Sequence, residues 1–372
     1  MIGDWTFYTC ELISGDLVID LPLVEFSGEV ALTGGSMSAT VPLQHLDSPA
    51  RQAILESTIP GRYSIVAKYQ GIVRGEWIIW QRDRSNDLAP IDLAGAEVIS
   101  FLERRVVPGK TYTQIEQLDI AADLIAKGFG PSPLGNGSIQ MSVGAYTASG
   151  QKRDRTYTLG DGTIGGRLKE LGAVQNGFDY YIETVETGNV GTTASIQRTA
   201  RLAYPRAGND QDLVLEDRNV IDFKLTEDAQ RLASRTYAIG ENALVSNYEN
   251  DSLITAGRMP FMEKTESHTS VSDSATLDGY ARALWDDSQT DALPGDLLIL
   301  ADRHPGIGDW QLGDILTLVL EESVNFPIGL RVDVRIISWS FKPPSSGPET
   351  MTLGITQEGP IGDYSGNPIT LG

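Results

Sequence analysis

The sequence predicts a mainly β protein with an α+β insertion: two small β-barrel domains plus a helix-containing domain. Three observations predict it. Short apolar–polar alternations closed by Gly, Asn and Asp turns crowd the region up to Arg105; helical spacing then replaces them; and strand after strand returns from residue 186 onward. A chain of 372 residues has room for two or three domains. The expected organisation is a first β-barrel at 1–106, an α+β insertion at 107–185, a β segment returning to the barrel at 186–245, and a helix plus second β-barrel at 246–372.

In the first region "DWTFYTCELI" and "DLVIDLPL" flank Ser14-Gly15, a hairpin dipeptide. "GGSMSATVPL" at 34–43 alternates Met37, Ala39 and Val41 with small polar residues, and Pro42 ends it. "HLDSPARQAILES" reads as a short helix with Asp47 and Ser48 as capping or turn residues. In "RYSIVAKYQGIVRGEWIIWQRD", Tyr63, Ile65, Ala67 and Tyr69 form one face, and Gln70-Gly71 turns the chain. "SND" at 85–87 turns it again, and "APIDLAGAEVISFL" returns as a strand.

Past Arg105, Ile115, Leu118, Ala122 and Ile125 follow helical spacing, with Gly128 placed as the stop. "PSPLGNGS" is a loop. "DGTIGGRLKELG" forms a second helix with Ile164, Leu168 and Leu171 on one face and Gly172 at its end, although Gly165 and Gly166 weaken it by roughly 1 kcal/mol each. "FDYYIETVE" is a strand. "RTARLAYP", "NVIDFKL" and "QRLASRTYAIG" continue in β, and polar "VSNYENDS" at 245–252 reads as an exposed loop. A helix over "SATLDGYARALWDDS" presents Leu277, Ala281, Leu284 and Trp285 as its buried stripe. The last strands are "DLLILADR", "GDILTLVLEE", "GLRVDVRIISWSF" and "ETMTLGITQ". Within the third, Val332, Val334 and Ile336 share one face and Ile337, Trp339 and Phe341 the other. Either both faces are buried or a bulge near 336–337 swaps them.

Composition narrows the function. With 41% hydrophobic and 21% charged residues the chain is globular, and its net charge of −21 opposes tight binding to phosphate backbones or anionic lipid. The apolar runs are too short to span a bilayer, and no basic cluster opens a secretory signal, so neither membrane anchor nor export leader is expected. Cys10 is the single cysteine, which forbids an intrachain disulfide and a cysteine-based zinc cluster; it sits in an apolar strand as an inert thiol.

No constellation for catalysis emerges. His45, His268 and His304 are far apart and show no metal-ligand spacing; His304 falls in an exposed turn. His45, Asp47 and Ser48 share one hexapeptide, whereas a triad is assembled across a fold. Glu321-Glu322 and Asp286-Asp287 are the kind of carboxylate pairs that 50 acidic residues generate by chance. Trp77, Trp80 and Trp339 lie in strands, where core packing outranks a sugar platform. "GDGTIGG" at 160–166 lacks the Lys-Ser/Thr of a nucleotide loop and reads as a turn plus helix cap. No catalytic, cofactor-binding or metal-ligating residue is assigned, and no cofactor is expected.

The stretches "WTFYTCELISGDLVIDLPL", "GGSMSATVPL", "IPGRYSIVAKYQGIVRGEWIIWQRDRSND" and "ISFLERR" resemble the first domain of minor tail proteins from actinobacterial siphophages. Residues Gln70 to Ile78 fill the family's hairpin, with Gln70 in place of a frequent Asp. "NVIDFKLTEDAQRLASRTYAIG" resembles the return to the barrel after the insertion, and "GDILTLVLEE", "GLRVDVRIISWSF" and "ETMTLGI" the last β-domain. The resemblance implies a baseplate or tail-tip hub. It would be a homotrimer whose two barrels per subunit form a pseudo-six-fold ring, adapting a hexameric tail tube to three-fold tip parts. Implied partners are the tail tube or distal tail protein, the tape-measure protein and other tail-tip proteins. DNA would pass through the ring without specific binding, and an acidic wall suits that passage. The location implied is the virion tail tip, after assembly in the host cytoplasm. Many relatives carry a C-terminal cell-wall hydrolase; ending at Gly372, just past the last β-domain, this chain is expected to lack one. A structural protein, not an enzyme, is therefore expected. The alternatives are a receptor- or carbohydrate-binding tail protein and a carbohydrate-active hydrolase.

Overall fold

The computed structural model describes residues 4–85, 90–133, 135–188, 194–226, 230, 232–250, 260–269, 271–288, 295–344 and 346–358. The first region contains β1 (Trp5–Glu11), β2 (Leu17–Asp20), β3 (Glu25–Ala31), β4 (Ser36–Val41), α1 (Ser48–Ser57), β5 (Tyr63–Tyr69), β6 (Ile72–Asp83) and β7 (Ile91–Glu97). Asp47 caps α1 by accepting the Ala50 N–H at 2.8 Å, and proline stands in the first turn, where a missing N–H costs nothing. Gln70 and Gly71 take φ of +48° and +81°, the twist of a primed hairpin turn that joins β5 to β6. "VISFL" is not strand: Val98–Arg104 is a 3₁₀ helix. Asn86 and Asp87 of the expected turn lie outside the described residues.

The middle of the chain holds β8 (Lys110–Glu116), α2 (Gln117–Phe129), β9 (Ser142–Val143), β10 (Lys152–Tyr157), α3 (Ile164–Gly172), β11 (Asp179–Thr187) and β12 (Ser195–Ala203). Two expectations change here. Ile115 belongs to β8 and is 38% exposed, so the helix begins after it. Gly128 is not a stop: α2 runs through it, and a Cβ there would come within 2.3 Å of Leu102. Gly130 caps instead. Leu118, Leu124, Ile125 and Phe129 of α2 meet Leu168 and Leu171 of α3 and Leu102 in one core.

Then come β13 (Asp210–Leu215), β14 (Val220–Leu225), β15 (Arg235–Ile239), β16 (Val245–Glu249), β17 (Glu263–Ser267), α4 (Ser274–Asp286), β18 (Gly295–Leu300), β19 (Ile315–Leu320), β20 (Leu330–Phe341) and β21 (Thr350–Gln357). "VSNYE" is a strand rather than an exposed loop, because Ser246 and Tyr248 turn inward onto α4 while Val245 and Asn247 face out; Asp251 and Ser252 lie outside the described residues. β15 pairs with β16 and β17 in a three-stranded sheet covered by α4. On α4, Tyr280 joins Leu277, Ala281 and Leu284 in the buried stripe, and Trp285 is half-buried, edge-on to Tyr248.

The large-scale architecture departs from two independent barrels. β14-β18-β21-β20-β3-β4-β7-β6-β5-β1-β2 form one continuous sheet, with β19 beside β20 and β13 parallel to β19, thirteen strands in all. Strand pairing closes no barrel among the described residues. The reason lies in β20. A bulge between Ile336 and Ser338 lets Leu330–Arg335 pair with β19 and Ser338–Phe341 pair with β3. It also brings Trp339 and Phe341 onto the face of Val332, Val334 and Ile336, which are all buried. Trp5, Phe26 and Trp77 from the first half then pack on Phe341 in a single shared core; Trp5 and Phe341 stack with centroids 3.7 Å apart.

Candidate functional site

The residues scanned for chemistry do not converge. His45 is exposed ahead of α1, and the Asp47 carboxylate is engaged as the helix cap. His304 is exposed with Nδ1 3.0 Å from Asp309. His268 is buried and its ring stacks on Tyr280 at 3.7 Å, with burial holding its pKa below the usual imidazole range. Glu321, Glu322, Asp286 and Asp287 are all exposed. Thr163 caps α3, accepting the Gly166 N–H at 3.0 Å while its hydroxyl donates to Glu103 at 2.6 Å. A carboxylate thus stands where a phosphate loop would seat its anion. Trp77 and Trp339 are core residues, and half-buried Trp80 donates to Ser100 at 2.8 Å. Among the described residues no three His, Cys, Asp or Glu side chains are grouped to hold a metal.

What the fold does concentrate is charge at its internal joints. β5 is buried on both faces, because β11 and β12 cover the side opposite the main core. Ser64, Val66 and Lys68 therefore point into an interface, not into water. There Arg198 and Glu76, both fully buried, pair through two guanidinium nitrogens at 2.6 and 2.8 Å. Ser64 donates to the same carboxylate at 2.6 Å, and Arg198 also reaches the Leu12 carbonyl at 3.1 Å and Cys10 Sγ at 3.4 Å. The Glu76 charge holds the Arg198 pKa above its ordinary value despite burial. Burial, reinforced by Glu76, pushes the Cys10 thiol up to about 12, which removes it as a nucleophile at neutral pH. Lys68 sits 2.8 Å from Glu186 and over the Tyr8 ring at 4.4 Å. Arg335 of β20 ties to Asp179 of β11 and to the Gly313 carbonyl. No local spacing in the sequence marks these pairs. One signal was available: Glu76 is a lone acid beside the apolar run "WIIW".

A cleft of about 250 Å³ opens beside Glu76, lined among others by Val30, Arg74, Glu97, Tyr181, Glu183 and Leu312. Glu97 accepts the N–H groups of Ala31 and Gly35 at 3.0 and 2.6 Å and so clasps the β3–β4 turn. Burial pushes its carboxyl up to about 7, against those two hydrogen bonds and with help from Glu29. The folded state thus binds this proton more tightly than the unfolded chain, where Glu titrates near about 4.3. Stability therefore rises as pH falls from about 7 toward about 4.3. Glu97→Gln is expected to remove that contribution. Thermal unfolding measured between about pH 5 and about pH 8 should show a shallower slope in the variant than in the parent. Parallel slopes would refute the assignment, since the general effect of the acidic surface is common to both proteins.

The outer ends of the sheet are the remaining candidates. β14, β13 and, beyond Leu17, β2 each have one strand neighbour among the described residues, while the Leu17 N–H of β2 donates to the Ala194 carbonyl.

The whole architecture has counterparts among solved structures. The tail protein from Neisseria meningitidis MC58 superposes with a TM-score of 0.59 at 14% identity, over 98% of this chain and 99% of that one. The chain shares the fold of phage tail proteins. A 43 kDa tail protein of prophage MuSo2 from Shewanella oneidensis gives 0.58 at 12% identity, over 95% and 97% of the two chains. A Francisella PdpA–VgrG complex matches at 0.52 and 10% identity, over 99% of this chain but 59% of that one. No protein-family model matches the chain, and no curated protein is similar to it in sequence.

Proposed function

We propose that the chain is a structural component of a phage-type tail, acting as a homotrimeric tail-tip hub of the siphophage kind. The observation that carries this reading is end-to-end likeness of fold to two tail proteins, including the insertion, at almost full coverage of each chain. In this reading the β1–β7 half and the β13–β21 half of the large sheet are the two repeated units, three copies place six such units around an axis, and the ring joins a hexameric tube to a three-fold tip. The tail tube or distal tail protein, the tape-measure protein and other tip proteins are its neighbours. A net charge of −21 suits a channel through which DNA slides, because like charge keeps the duplex off the wall. The site plays no catalytic part.

Light scattering on the purified chain tests this. The expected mass is three times 40.3 kDa, with a three-fold ring and central hole in negative stain. A chain that stays at single-chain mass up to its solubility limit, with no ring, would overturn the hub reading.

A further inference from the structure

Two Asn-Gly pairs occur in the sequence, Asn136-Gly137 and Asn176-Gly177. Such a pair carries its own chemistry. The side-chain amide of asparagine is an electrophile at Cγ, and the main-chain nitrogen of the next residue is a nucleophile within reach. Glycine in that next position, having no Cβ, hinders the approach least. Both asparagines are exposed, so water reaches each, and exposure does not tell them apart. The fold does.

Asn176, just after α3, is locked in a turn with φ of +56°. Its carbonyl accepts Gln117 Nε2 at 2.8 Å and an Arg153 nitrogen at 3.4 Å, and the Gln175 carbonyl takes the same guanidinium at 2.7 Å. Gln117 is fully buried, so these bonds tie the turn to the core. Gly177 is pressed on the Gly172 carbonyl: a Cβ there would fall 1.7 Å from that oxygen. Swinging the 176–177 peptide to bring the Gly177 nitrogen onto Cγ is opposed by every one of these contacts. Asn136, in the loop between α2 and β9, is held by far less. Its carbonyl accepts the Ser132 N–H at 2.8 Å, a bond within the loop itself. Neither its side chain nor the Gly137 N–H is hydrogen-bonded among the described residues. A Cβ on Gly135 or Gly137 would meet nothing within 4 Å, so this peptide has room to turn.

We propose that Asn136 is a site of spontaneous modification, converted in the folded protein to aspartate and isoaspartate while Asn176 is protected. The Gly137 nitrogen bonds to Asn136 Cγ and gives its proton to solvent base. The Cγ–Nδ2 bond breaks, and that nitrogen leaves as ammonia with a proton from water. Water then adds to either carbonyl of the cyclic imide and opens the ring. One opening gives aspartate. The other gives isoaspartate, in which the main chain runs through the side-chain carbons and is longer by one methylene. Water is the only co-reactant, and no electrons are transferred. Either product adds a negative charge to the loop, and isoaspartate turns the carbonyl that Ser132 holds into a free carboxylate. The conversion does not depend on the chain being a tail protein.

The test incubates the full chain in mildly alkaline buffer, folded and in urea. Peptide mass spectrometry follows each asparagine, with fragment spectra assigning the residue and isoaspartyl methyltransferase labelling marking the rearranged product. Trypsin separates the sites: Lys127 and Lys152 bound the first peptide, Lys169 and Arg198 the second. In the folded chain Asn136 is expected to convert at least about ten-fold faster than Asn176, because structure that must open first slows a local reaction. In urea both should convert at similar rates, so that the ratio falls toward unity. Mildly acidic buffer should slow Asn136, since the attacking nitrogen must lose its proton. Asn136→Gln should leave its peptide unconverted with circular dichroism and thermal unfolding unchanged, and Gly137→Ala should slow the conversion severalfold. Asn136 remaining an amide in the folded chain, Asn176 converting as fast beside it, or a ratio that urea leaves unchanged would overturn the proposal.

Discussion

Arg198→Ala is expected to destabilise the protein by about 3–5 kcal/mol, read as a fall in urea midpoint at unchanged slope. The change strands Glu76 at zero exposure with Ser64 as its remaining side-chain partner. A buried carboxylate without its cation is driven to take up a proton, so the variant should recover stability as pH falls, more steeply than the parent. The double variant Arg198→Met/Glu76→Leu should regain most of the loss, because two apolar side chains of similar volume need no desolvated charge to be balanced. A single-variant loss below about 1 kcal/mol would show that the pair is hydrated and not the joint described here.

Phe341→Ala should cost a further class of contact, about 3–5 kcal/mol for an aromatic removed from a packed core. Its ring stacks on Trp5 and touches Phe26, Trp77 and Trp339, so the cavity would open between the two sheet halves. Hydrogen exchange discriminates the architectures. With one shared core, amides of β5 and β6 should lose protection together with those of β18 and β21. Two separate barrels would confine the loss to the strands around β20, and that result would contradict the continuous sheet. Phe341→Leu, which keeps much of the volume, should lose less than the alanine variant.

Local elements were readable because their causes are local. The Gln70-Gly71 turn, the Asp47 cap and the Thr163 cap each depend on residues a few positions apart. The bulge at 336–338 was visible as an inversion of the apolar face, although its purpose was not. Errors followed where a neighbour distant in sequence decided the matter. Gly128 has the local context of a helix stop, but Leu102 lies against it inside α2, and Ile115 fits a helical period but sits in a strand paired with β10. "VSNYE" looked polar enough for a loop because one face of its strand is exposed and α4 covers the other.

For this protein the sequence by itself determined the strand-rich class, the insertion of helices after Arg105, the caps and turns, and a composition hostile to tight binding of phosphate backbones. These follow from periodicity and charge, which act over a turn or a strand. Only the tertiary structure decided that the two β regions form one sheet with one core, that β5 is buried on both faces, and that Glu76 finds Arg198 across 122 positions. The physical reason is that burial and pairing are properties of the space between elements. An acid in an apolar strand is a mistake or a joint depending on what lies opposite it, and the chain has to fold before anything does.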